Sequence, residues 1–290
     1  MKPALLFIQQ TSRLILTCNA VLCLCLCVPG CRGINGNSFS PKLHAYESDD
    51  RQMIVLKRPL REISGIDFLK EDLLVAINDE AGKIFFLNPM TGAFTASSFG
   101  KKDDYEDVVK TEDHFFVMNS KGHLFEVSGD GERQIASYKN SFGKRMEFET
   151  LVYDRAANRL LLICKECGKQ QNSVDAYVFD LASRSYVEAP VFSIPWESIR
   201  RLAKDNSIEC KPSAGAINPV DGKLYVIAAL GKVLMQCSVD GALLAVYKLN
   251  PDHFPQPEGI SFSNTGDMYI ANEGVQGKGT LLKFKYTPVR

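Results

Sequence analysis

The 290-residue chain has a single tryptophan, four histidines and no excess of either charge, with 34 basic residues set against 34 acidic ones. Each scarcity removes a class of function. Balanced formal charge gives no bulk field to recruit nucleic acid or an anionic lipid surface, so no nucleic-acid partner is expected. The histidines, His44, His114, His123 and His253, are scattered, which argues against a zinc or iron centre. No nucleophile elbow, phosphate loop or Ser-His-Asp order is present, so nothing marks a familiar covalent or phosphoryl-transfer enzyme. From Met53 onward helical periodicity is almost missing, which excludes a helical bundle or solenoid.

What is present begins with an N-terminal export pattern. Lys2 and Arg13 precede an apolar run from Leu14 to Val28, too short to span a bilayer comfortably and ending in Val28-Pro29-Gly30-Cys31. That tetrapeptide resembles the bacterial lipobox, which implies a signal peptide over 1–30 and Cys31 as a lipidated first residue. The alternatives are an uncleaved anchor or a plain secretory signal. Residues 31–42, rich in Gly, Asn and Ser, read as a flexible tether, and 43–290 as one globular domain. The lipid reading places the protein in the bacterial cell envelope, held to a membrane by the anchor alone.

Four of the nine cysteines fall in the signal segment. Cys164-Lys165-Glu166-Cys167 has the spacing of half a zinc site, but it has no second pair and no neighbouring histidines. In an exported chain a disulfide is the better reading, and Cys167 and Cys210, on loops of one face in adjacent repeats, are its expected partners.

The rest of the chain is a repeat. Aligned on the glycine position, Ile63-Ser64-Gly65-Ile66, Tyr105-Glu106-Asp107-Val108, Phe148-Glu149-Thr150-Leu151, Ser213-Ala214-Gly215-Ala216 and Pro257-Glu258-Gly259-Ile260 each open a short apolar run. The positions 65, 107, 150, 215 and 259 are separated by 42, 43, 65 and 44 residues, so one step carries an insert of about 22. Each unit holds several strand-like runs split by Gly, Asn, Asp or Pro, and a period in the low forties with that content is a propeller blade. The fold class is therefore all-β, a five-bladed propeller with six blades as the alternative. The last unit ends one strand short, and Met53 to Lys57 has the length and position to complete it and close the ring. The insert carries Trp196 to Ala203, whose spacing predicts a short amphipathic helix with a solvated charged face.

In such a ring all the repeat motifs start on one face. That gathers Ser64, Glu106, Glu149, Ala214 and Glu258, with Glu62, Asp104, Asp107, Glu147 and Ser213 beside them and Asp79, Glu80, Glu166 and Glu273 from the second-strand loops. Crowded carboxylates repel and need a counter-charge. Hard oxygen donors from several loops suit Ca2+, and the expected ligands are Glu258, Glu149, Glu106, Glu62, Asp107 and Glu273. The alternatives are that Lys165, Lys211 or Arg145 neutralises the ring, or that one carboxyl stays protonated.

The motifs Glu62-Ile63-Ser64-Gly65-Ile66, Phe148-Glu149-Thr150-Leu151, Lys211-Pro212-Ser213-Ala214 and Pro257-Glu258-Gly259-Ile260, in that order, resemble the SdiA-regulated (YjiK-type) propeller family over roughly Met53 to Tyr286. The resemblance implies a five-bladed or related propeller with a cation site on one face, and it supplies no reaction. The expectation is a lipid-anchored module that binds a divalent cation and presents the mouth to a small molecule or an envelope protein. The rivals are a metal-dependent hydrolase of lactone, ester or phosphoester bonds and a purely structural scaffold.

Overall fold

A computed structural model describes residues 36–142, 145–168, 171–274 and 277–288. The signal segment and Cys31 lie outside the described residues. Two strands, β1 (Phe39–Ser40) and β2 (Gln52–Val55), precede the first repeat, which forms β3 (Ile63–Lys70), β4 (Leu73–Asn78), β5 (Lys83–Leu87) and β6 (Phe94–Ser98). The second forms β7 (Tyr105–Lys110), β8 (Phe115–Asn119), β9 (Leu124–Val127) and β10 (Gln134–Tyr138). The third forms β11 (Met146–Asp154), β12 (Arg159–Cys167), β13 (Ser173–Asp180) and β14 (Ser185–Pro195), followed by a helix, α1 (Trp196–Ala203). The fourth forms β15 (Lys211–Ile217), β16 (Leu224–Leu230), β17 (Val233–Cys237) and β18 (Leu243–Leu249), and the fifth β19 (Pro257–Phe262), β20 (Met268–Asn272) and β21 (Thr280–Phe284).

Each repeat is an antiparallel sheet, and β3, β7, β11, β15 and β19 contact one another in a closed ring around an axis, giving a five-bladed propeller. Burial follows position in the blade. β8 is buried along its whole length, whereas the outermost β6 and β10 alternate exposed and half-buried residues. The apolar side chains collect in five clusters, each between neighbouring blades. Ile77, Val108 and Phe115 lie between the first and second, for example, and Phe39, Ile227 and Phe284 between the fourth and fifth. Each such side chain contributes about 2 kcal/mol by leaving water, so the ring is held by its seams.

The repeated glycine has a packing cause. A Cβ on Gly65 would stand 2.8 Å from the Asp107 Cα, and one on Gly259 would stand 3.0 Å from the Ile66 Cγ1, each across a seam close to the axis. The inner strands crowd there, and a side chain has no room.

The N-terminal stretch spans two blades. β2 lies antiparallel to β21, with Gln52 opposite Lys283, and forms the outer strand of the fifth sheet. β1 adds a fifth strand to the fourth sheet beside β18. Residues 38–42, expected to be part of a flexible tether, are therefore docked from Ser38 on. Phe39 is fully buried with its ring 5.3 Å from those of both Phe254 and Phe284, and Ser38 Oγ is hydrogen-bonded to His253 Nδ1 at 2.9 Å. A stretch rich in Gly, Asn and Ser is flexible only where nothing anchors it, and one phenylalanine suffices as anchor.

The insert lengthens β14 and adds α1. Ile199 is fully buried in the seam between the third and fourth blades, but Leu202 is 42% exposed. The helix packs on β14 and β18, both outer strands, so it belongs to the rim rather than to the axis. Among the described residues no helix is long and apolar enough to cross a membrane.

Candidate functional site at one mouth of the channel

Every inner strand breaks register at one shared place, whatever other irregularities it has. Pairing with the second strand skips Ser64 between Ile63 and Gly65, Glu106 between Tyr105 and Asp107, and Glu149 between Phe148 and Thr150. It likewise skips Ser213 between Pro212 and Ala214, and Glu258 between Pro257 and Gly259. A bulge leaves one residue out of the ladder and re-aims its side chain. The equivalent positions are thus Ser64, Glu106, Glu149, Ser213 and Glu258. Ala214 is not one of them, because the fourth repeat aligns one residue earlier than its glycine suggests.

Three of these five are glutamates, and they meet around one lysine. Lys165, from β12, forms an ion pair with Glu149 Oε1 and also feels the charges of Glu106 and Glu258, which hold its pKa above the usual lysine value against burial. Burial is the main cause that pushes Glu106 up to about 9, helped by Glu149 and Asp104 and opposed by Lys165. Burial and then the neighbouring Glu149 push Glu258 up to about 8. Glu149 is also raised by burial, with its ion pair to Lys165 pulling the other way. Three carboxyls share one ammonium in a poorly solvated place, so two of them hold their protons near neutral pH.

A second acidic arc adjoins the first. Asp79 is pushed up to about 6 by burial and then by Glu62, Glu80, Glu273 and Asp104, and its Oδ1 is buried without a hydrogen-bond partner among the described residues. The Gln256 Nε2 donates to Glu273 and its side chain also reaches Glu258, so this glutamine ties the two arcs together. Glu273 itself is raised by burial and by Glu62.

The six expected ligands therefore divide. Glu106, Glu149 and Glu258 converge on Lys165, while Glu62 and Glu273 stand with Asp79. Asp107 is turned away and only 4% exposed. Its Oδ1 accepts the Val108 N–H at 2.8 Å and its Oδ2 the Leu151 N–H at 2.7 Å, which corrects its assignment as a ligand. Among the described residues no three His, Cys, Asp or Glu side chains stand close enough together to hold a metal ion. The cation amid the three glutamates is Lys165, one of the neutralising residues expected as the alternative. Gln256 and Lys232, which also line the mouth, carried no signal in the repeat pattern.

The expected Cys167–Cys210 disulfide is also corrected. Cys164 and Cys167 are bonded to each other, with Cα atoms 5.9 Å apart, and Cys210 is free. The third sheet separates them: Cys164 and Cys167 pack in the seam toward the second blade, whereas Cys210 is buried in the seam toward the fourth, its Sγ 3.8 Å from the Met235 Sδ.

The opposite end of the channel opens into a cavity of about 650 Å3, lined by the far halves of all five inner strands. Its acid, Asp67, is pushed up to about 6 by burial although it accepts the Lys110 N–H, the Phe68 N–H and the Ser261 hydroxyl. At its rim Lys110 Nζ donates to the Thr111 and Glu112 carbonyls, and Arg155 pairs with the Glu112 carboxylate.

No family model matches the chain, and no curated protein does. Solved structures do. The glutaminyl cyclase of Myxococcus xanthus is 11% identical, with a TM-score of 0.55 over 82% of this chain and 98% of that one. Regucalcin of Agrobacterium tumefaciens is 10% identical, with a TM-score of 0.52 over 80% and 94%. A luciferin-regenerating enzyme is 13% identical, with a TM-score of 0.50 over 82% and 97%. At these identities the shared property is the fold: the chain is a five-bladed member of the β-propeller architecture.

Proposed function

We propose that this protein is a binding module that takes a divalent cation, Ca2+, at the carboxylate mouth, with Glu106, Glu149 and Glu258 as its protein ligands. The observation that carries the reading is the convergence of three bulge-borne glutamates around Lys165, an excess of acidic groups over cations in a desolvated place. The donor set is of the kind the ion takes, although its members must close in from the positions they hold around Lys165 to ligate it. It is all oxygen, it comes from three blades, and the Glu106 carboxylate has no hydrogen-bond partner among the described residues that would have to be broken. Lys165, with a side chain 31% exposed, swings out as the ion enters. The fold neighbour regucalcin is itself a calcium-binding protein. The SdiA-regulated family resemblance, export and a lipid anchor on Cys31 complete the proposal and place the module in the bacterial envelope.

The test is a calorimetric titration of residues 32–290 with Ca2+. Binding with proton release is expected, because Glu106 and Glu258 must give up protons to ligate; absence of heat with both Ca2+ and Mg2+ would sink the site. Mass spectrometry of the exported protein checks the anchor through a lipid-shifted Cys31 peptide that Cys31→Ala abolishes.

One observation favours a second reading. Glu106 and Glu258 stay protonated near neutrality beside an ion-paired Glu149, the separation of roles that general acid and base require. A metal-dependent hydrolase would lose turnover in both Glu149→Gln and Glu258→Gln, and inactivity of the parent on a broad ester, lactone and phosphoester panel would leave the binding module.

A further inference from the structure

The mouth is charged unevenly. The second acidic arc, Glu273, Glu62, Asp79 and Asp104, stands on the fifth, first and second blades, whereas three lysines of the mouth come from the third and fourth, where Glu149 and Glu166 also stand: Lys165 on β12, Lys211 at the start of β15 and Lys232 in the turn between β16 and β17. These three lysines, together with Glu149, Glu258 and Gln256, border a cavity of about 390 Å3 that opens beside the carboxylates. That volume is of the size that holds small organic ligands.

Two of the three lysines are matched: Lys165 is paired with Glu149 and Lys211 with Glu166. Lys232 is different. Its Nζ donates to the Pro255 carbonyl oxygen at 2.6 Å and has no carboxylate within ion-pair distance among the described residues, so two of its three N–H donors are uncommitted. Its place is fixed by the turn. Gly231 and Lys232 both have positive φ, +97° and +49°, and a Cβ on Gly231 would meet the Glu209 carbonyl oxygen at 2.5 Å, so the turn is packed down and presents the lysine from a set point. Lys211 is held less firmly, since its partner Glu166 is 42% exposed and can turn to water.

We propose that this cavity is an anion subsite that binds the phosphate group of a small phosphate monoester, with Lys232 as its first contact and Lys211, released from Glu166, as its second. Lysine, a compact charge with three rotatable donors, suits phosphate oxygens, and the cavity lacks the planar arginine fork that would select a carboxylate in two-point contact. No aromatic ring lines it, so it offers no platform for a nucleobase and the ester's remainder is aliphatic or a sugar. The subsite deepens the function proposed above and rests on it in one respect only, that the ligand's other oxygens reach the cation held by the three glutamates.

Inorganic phosphate is the probe, titrated by calorimetry into residues 32–290 with and without Ca2+. Binding is expected in both conditions, at least tenfold weaker in Lys232→Met and partly restored in Lys232→Arg, with Lys211→Met intermediate. Lys42→Met, a surface lysine paired with Glu47, is expected to be unchanged. Thermal melting checks that each variant is folded. Phosphate heat that is indifferent to Lys232 and Lys211, no phosphate binding in either condition, or acetate binding as tightly as phosphate would each overturn the assignment. Ca2+ binding without phosphate binding sinks the subsite and spares the cation site; Lys232-dependent phosphate binding without Ca2+ binding does the reverse.

Discussion

Glu106 and Asp107 are neighbours on one strand and do opposite things. The aspartate is skewered by backbone N–H groups, one from its own strand and one from the next blade, and Asp67 repeats the arrangement one blade earlier by accepting the Lys110 N–H at 2.7 Å. Ser213 and Ser261 continue the stitching. Ser213 donates to the Pro257 carbonyl and Ser261 to Asp67, so side chains staple most seams close to the axis. Glu106, Glu149 and Glu258 receive no such donors from the backbone. They sit on the bulges, where the ladder has been left, and the charge that answers all three is Lys165. In this ring the role of an acid is set by what the backbone offers it, not by its nearness to the axis.

The largest expected effect breaks a staple. Asp107→Ala leaves two buried N–H groups without a partner and should cost about 3 kcal/mol in urea unfolding, while the folded fraction keeps its Ca2+ affinity. Glu106→Gln should cost well under that, and equal losses in the two variants would erase the distinction between staple and site. Next, Glu149→Gln and Glu258→Gln should each weaken Ca2+ binding by roughly tenfold to a hundredfold, or about 1.4 to 2.7 kcal/mol.

A third effect lies in pH. Glu106 is raised from 4.5 to about 9 and Glu258 from 4.5 to about 8, so the folded state keeps protons that the unfolded chain has already lost. Stability without Ca2+ should therefore fall as pH rises from near 4.5 toward 9, and the Glu106→Gln and Glu258→Gln variants should flatten that fall. Ca2+ affinity should rise over the upper part of the same range; an affinity independent of pH would mean that the two glutamates are not ligands. The smallest effect is on Lys165. Lys165→Met removes a competitor, and Ca2+ affinity should increase by about threefold, near 0.7 kcal/mol; a decrease would make the lysine part of the binding architecture.

Much of the ring was legible because the blade period, the strand runs and the helix at Trp196 are local patterns. What was not legible depended on parity. Matching glycines aligned Gly215 with Gly65 and Gly259, but Gly215 is small because its Cβ would strike the Thr150 Cγ2 at 2.8 Å across the seam, and the bulge falls two residues earlier, at Ser213. A one-residue slip exchanges the faces of a strand, which is also why Asp107 reads as a ligand beside Glu106 and is none. The cysteines failed in the same way: Cys167 and Cys210 pack in different seams, and nothing in their spacing records which side of the third sheet each occupies.

The strands β1 and β2 have a temporal consequence. Ser38 reaches His253 across 215 residues of chain, and Tyr46 donates to the Gly266 carbonyl across 220, so residues synthesised before the first blade wait for the fifth before they find their partners. Until β21 has been made, the growing ring keeps open edges at both ends and its seams close in sequence rather than together. Folding should accordingly be slow, governed by this final long-range closure, and most prone to intermolecular strand pairing just before it.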